Sequence, residues 1–74
     1  AYTLEITPSK VKDLDGTIAE LGRIVTIDAR DVRRFKRLRE ESLSFDSLPI
    51  RTRLTDEEVA RFAAQRYRFP GVEV

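Results

Sequence analysis

A chain of 74 residues has room for one small domain, which buries only about 60% of the surface its unfolded chain exposes, so a deep enclosed active site is not expected. The composition, 41% hydrophobic and 36% charged with a formal charge of +1, is that of folded globular domains and lies outside the strongly charged disordered class. Cysteine is absent, which removes a disulfide framework and any thiolate nucleophile or metal site, and histidine is absent too. No apolar run approaches the roughly 20 residues that a membrane helix needs.

Tyr2, Leu4 and Ile6 alternate with Thr3 and Glu5, the period of a strand with one buried face. After a turn at Pro8, the residues Leu14, Ile18, Leu21 and Val25 fall within about 60° of one another on a helical wheel, which predicts a first helix with a narrow buried stripe. Asp13 is its better N-cap, because a carboxylate can accept from the orphan amides of the first turn; Ser9 could cap an earlier start. Gly22 marks either the end of this helix or a close backbone approach. Asp28 reads as the N-cap of a second helix ending near Glu41 or Ser42. Val32, Phe35 and Leu38 lie on one side of that helix, with Arg30, Arg33, Arg34 and Arg37 on the other.

From Leu48 to Leu54 the period returns to two. Leu48, Ile50, Thr52 and Leu54 should face one way and Arg51 and Arg53 the other, with Pro49 restricting the segment to an edge or to the start of a strand. Thr55-Asp56-Glu57-Glu58 spells a capping box, with Thr55 and Glu58 bonding each other's backbone amides. Val59, Phe62, Ala63 and Tyr67 supply the apolar side of a third helix. Arg66 falls in the same arc, either because the helix ends before it or as a partly buried ion pair. Pro70-Gly71 turns the chain into a last strand carrying Val72 and Val74. The order β-α-α-β-α-β predicts an α+β domain over residues 1–74, helices packed on a small sheet. Terminal strands at both ends read as leading into a larger body, with strand edges on which copies could pair.

Candidate chemistry is sparse. Ser9-Lys10-Val11-Lys12 matches S-x-x-K, the nucleophile motif of penicillin-interacting enzymes, but no K-T-G strand accompanies it and the chain has no asparagine for an S-x-N element. A turn or capping role for Ser9 is the better reading. The arginine face of the second helix suggests either a solvated surface or a contact with a protein or an anionic lipid. A nucleic-acid footprint is disfavoured, because Lys36 and Arg37 can pair with Glu40 and Glu41, the net charge is small, and no aromatic residue is interleaved for stacking. The acidic pairs Asp13 with Asp15 and Glu57 with Glu58 sit at helix starts, where capping accounts for them. Asp13-Leu14-Asp15-Gly16 lacks the further acids of a calcium loop. No metal or cofactor is expected. The residues left for partner contact are Arg30, Arg33, Arg34, Arg37, Arg51 and Arg53.

The segment LPIRTRLTDEEVARFAAQRYRFPGVEV from Leu48 to Val74, with Tyr2-Thr3-Leu4-Glu5-Ile6-Thr7-Pro8 and Val11-Lys12-Asp13-Leu14-Asp15, resembles the penicillin-binding protein 2 family of elongation-type class B penicillin-binding proteins. The resemblance covers most of the chain in matching order and spacing. It implies a piece of the non-catalytic head or pedestal that precedes the transpeptidase domain, so none of the family's catalytic residues is carried over. It further implies a parent anchored by one membrane helix on the periplasmic side of the inner membrane, cross-linking peptidoglycan during elongation. A SEDS-class glycan polymerase and a periplasmic scaffold of the rod complex are the implied partners. Asp28-Ala29-Arg30-Asp31 departs from the Ser-Pro-Glu-Asp-like helix start of relatives but keeps an oxygen cap. Two rival roles remain: a free-standing basic domain that binds nucleic acid, and a purely structural spacer.

Overall fold

A computed structural model describes all 74 residues. Strand β1 (Tyr2–Ile6) is followed by a 3-10 turn at Pro8–Lys10, helix α1 (Leu14–Leu21), helix α2 (Ala29–Glu41), strand β2 (Leu48–Leu54), helix α3 (Asp56–Gln65), a second 3-10 turn at Arg66–Arg68 and strand β3 (Val72–Glu73). The α+β order β-α-α-β-α-β is the one the sequence periods predict. The sheet runs β2-β1-β3, with β1 antiparallel to both neighbours. Pro49 therefore lies on an edge strand, where a missing amide costs least.

The helix starts follow local chemistry. Asp13 accepts from the Gly16 amide at 3.0 Å. Asp28 and Asp31 form a reciprocal capping box, with Asp31 N donating to Asp28 Oδ1 at 2.9 Å and Asp28 N to Asp31 Oδ2 at 3.0 Å. Thr55 and Glu58 form the second such box. Helix α1 stops at Leu21 with Gly22 as its exposed C-cap, so Gly22 acts as a terminator. At the Pro70-Gly71 turn only glycine fits: φ is +90° and an added Cβ would lie 2.9 Å from Lys10 Cβ.

Thirteen buried apolar residues make one core, contributed by all three helices, all three strands and the segments beside them. Leu4 and Ile6 of β1 and Ile50 of β2 are fully buried with Leu21 of α1 and Phe35 of α2, and the rings of Phe62 and Phe69 stack with centroids 6.1 Å apart. Several burial expectations need correction: Tyr2 at the start of β1 is 51% exposed and Ala63 of α3 is exposed. Tyr67 is 83% exposed, because α3 ends at Gln65 and the tighter 3-10 turn swings the ring away from the face that carries Phe62. That helix end also leaves Arg66 exposed, as expected if the helix stops before it. Thr52 does not share the buried face of Leu48 and Ile50. The ladder slips twice, opposing Tyr2 to Leu54 and Leu4 to Arg51, so Thr52 and Arg53 bulge outward and Leu54 returns to the core. Arg53 takes the bulge with φ of +54°, an uncommon conformation for a residue with a Cβ.

Candidate interaction surface

The six arginines singled out by the sequence divide between two environments. Arg51 is bound within the fold. Its Nη1 and Nη2 donate to Glu58 Oε2 and Oε1 at 2.8 and 3.0 Å, a two-pronged pair, and Nη1 also donates to the Thr26 carbonyl at 2.7 Å. Its Nε donates to the Thr52 carbonyl at 3.1 Å, tying down the bulge. The expectation that Arg51 faces solvent as a contact residue is thus corrected: the bulge turns its guanidinium along the sheet toward the start of α3.

Glu58 is the charged residue at the centre of this cluster and is only 4% exposed. Besides Arg51, its carboxylate accepts from the Thr26 amide at 2.8 Å and from the Thr55 amide at 3.0 Å. Burial alone would push its pKa up, but the bonds from Arg51, Thr55 and Thr26 and the charge of Arg51 outweigh burial and hold it at about 2. A second tie comes from Arg61 Nε to the Ile24 carbonyl at 2.6 Å. In the irregular stretch between α1 and α2, the Ile24 carbonyl and the Thr26 amide and carbonyl are thereby satisfied by side chains of β2 and α3. The capping box signalled one of these bonds; the rest join residues 7 to 37 positions apart and have no sequence signal.

The other five arginines are exposed. Arg34 donates to Asp31 at 2.8 Å, whereas Arg30, Arg33, Arg37 and Arg53 have no carboxylate within ion-pair distance. The expected pairs Lys36 with Glu40 and Arg37 with Glu41 do not form; Lys36 instead meets Asp15 of α1 at 3.3 Å. Helix packing sets this choice, because burying Phe35 between α2 and the sheet brings the flank with Lys36 beside α1. The arginine face is left pointing to water.

Ser9 lies exposed in the 3-10 turn at Pro8–Lys10, its amide donating to the Ser44 carbonyl at 2.8 Å, and is a turn residue. That bond helps fix a feature passed over in the sequence. In the loop between α2 and β2, Leu43 and Phe45 are 60% and 68% exposed. Asp46 Oδ2 accepts from the Leu43 amide, the Leu43 carbonyl accepts from the Asp46 amide, and Ser47 Oγ donates to Glu5. Two apolar side chains are therefore displayed on a bonded loop, a second surface with contact character.

The whole chain, residues 1–74, matches the family described as the penicillin-binding protein dimerisation domain. It is 42% identical over 73 residues to the peptidoglycan D,D-transpeptidase MrdA of Escherichia coli strain K12, covering 99% of this chain and 12% of that protein. The corresponding MrdA of Haemophilus influenzae is 34% identical and that of Acinetobacter baumannii 29%, each over 99% of this chain and 11% of the relative. The chain thus spans about an eighth of the length of these relatives. It belongs to the penicillin-binding protein dimerisation domain family, in its MrdA-like, penicillin-binding protein 2 branch.

Proposed function

We propose that residues 1–74 form a single head or pedestal domain that positions a penicillin-binding protein 2-like peptidoglycan transpeptidase against its partners and takes no part in the chemistry. One observation carries this reading: the whole chain matches a dimerisation domain, while the relatives sharing it are D,D-transpeptidases about eight times longer. On this reading the parent cross-links the wall during elongation and maintains cell shape from the periplasmic side of the inner membrane. Its partners are a SEDS-class polymerase and a periplasmic rod-complex scaffold. The exposed Arg30, Arg33, Arg34, Arg37 and Arg53 are the contact residues. No helix here is long and apolar enough to cross a membrane, so any anchor of the parent belongs to other residues.

The test is a titration of the domain against the polymerase and the scaffold reconstituted in membranes, at two salt concentrations. Saturable binding that persists at the higher salt and is lost in a folded surface variant supports a positioning domain. No binding by the folded domain overturns that role in favour of a spacer.

A further inference from the structure

The arginine face of α2 has a pattern as well as a sign. At 100° per residue, Arg30, Arg33, Arg34 and Arg37 occupy about 100° of the helix circumference, and Glu41 falls inside the same arc one turn beyond Arg37. From Arg30 to Arg37 the stripe runs about 10 Å along the axis. Its geometry is fixed from both sides. Phe35, fully buried, pins the opposite face of the helix to the core, and the Asp28–Asp31 box fixes the first turn. Asp31 also holds Arg34 in place, leaving Arg30, Arg33 and Arg37 without an ion pair on consecutive turns.

Resting on the interaction role proposed above, we propose that this stripe docks a protein segment, helical in form, whose matching face carries acidic residues on three successive turns and a basic residue on the next. Three features favour such a partner over an anionic lipid surface or a nucleic acid. Glu41 closes the stripe with the wrong charge for a uniform polyanion, and Glu40 stands beside it. No aromatic or large apolar side chain lies on the arc to stack on a base or insert into a bilayer, since Phe35 is buried. Guanidinium groups suit two-pronged pairing with carboxylates, and the alternation of sign fixes the register of the contact.

The experiment is a titration of the 74-residue chain, followed through the arginine Nε–H NMR signals. The probe is an alanine-based helical peptide with glutamates at i, i+3 and i+7 and a lysine at i+11. Its controls are the same composition scrambled, vesicles containing phosphatidylglycerol, and a single-stranded oligonucleotide. The patterned peptide should move the signals of Arg30, Arg33 and Arg37, and the scrambled peptide should bind at least about fivefold more weakly. The variant R33E/R37E should lose the patterned peptide and gain one with lysines in place of the glutamates. Equal binding of the scrambled peptide, tighter binding of vesicles or oligonucleotide, or unmoved arginine signals would each overturn the proposal. Any of these results is separable from failure of the positioning role, which is read by the polymerase and scaffold titration.

Discussion

Arg51 and the arginines of α2 are the same residue used in opposite ways. Arg51 is held by a buried carboxylate and backbone carbonyls: its bonds to Glu58 and Thr26 join parts of the chain that would otherwise drift apart, and its Nε bonds the adjacent Thr52 carbonyl. The α2 arginines meet water, and the one ion pair among them, Arg34 with Asp31, spans a single helical turn. A charge counts toward stability where water is displaced and the partner is fixed; on a solvated helix face it costs almost nothing to keep and remains available for a partner. Net charge or a count of arginines would rank these positions alike.

The contrast is broken most severely by Arg51→Ala. Removing the guanidinium leaves Glu58 buried with only two amides as donors, and the loss should be about 3 kcal/mol of unfolding free energy in urea. If Arg51→Ala proves as mild as a surface change, the clamp does not stabilise the fold.

A smaller effect separates the regions by pH. Glu58 has a folded pKa of about 2 against an ordinary 4.5, so it contributes stability that is present above about pH 4.5 and lost as the pH falls toward 2. The full shift corresponds to about 3 kcal/mol, and water at the rim of so small a domain trims this to about 2. Glu58→Gln should flatten that acid limb in urea unfolding measured from pH 6 to pH 2, and an unchanged limb would assign the acid sensitivity to other carboxylates.

The smallest expected effect lies on α2. Replacing Arg33 and Arg37 together by alanine should change stability by less than about 0.5 kcal/mol. A larger loss in thermal unfolding would show that the stripe holds the fold together, and would blur the contrast with Arg51.

Much of the architecture was readable from short-range pattern. Asp13, Asp28 and Thr55 cap their helices because each oxygen needs only the amide three residues on, and the Leu48–Leu54 strand follows from its alternation. Reading failed where an outcome depended on a distant neighbour. The bulge that exposes Thr52 is set by pairing of β2 with Tyr2 and Leu4, and Lys36 pairs with Asp15 of the first turn of α1, not with Glu40 on its own helix. Tyr67 was lost from the core by a change of helix type after Gln65, ahead of the stop at Pro70-Gly71.

The sequence by itself determined the order of elements, the three caps and the family resemblance, since each rests on residues within a few positions of one another or on linear matching. Tertiary structure alone decided that β1 is the central strand, that Arg51 and Glu58 close on Thr26, and that Arg30, Arg33 and Arg37 of α2 stay without an ion pair. Those outcomes require burial and partners from elements far apart in the chain, and burial gives a buried charge pair and an exposed one their different energies.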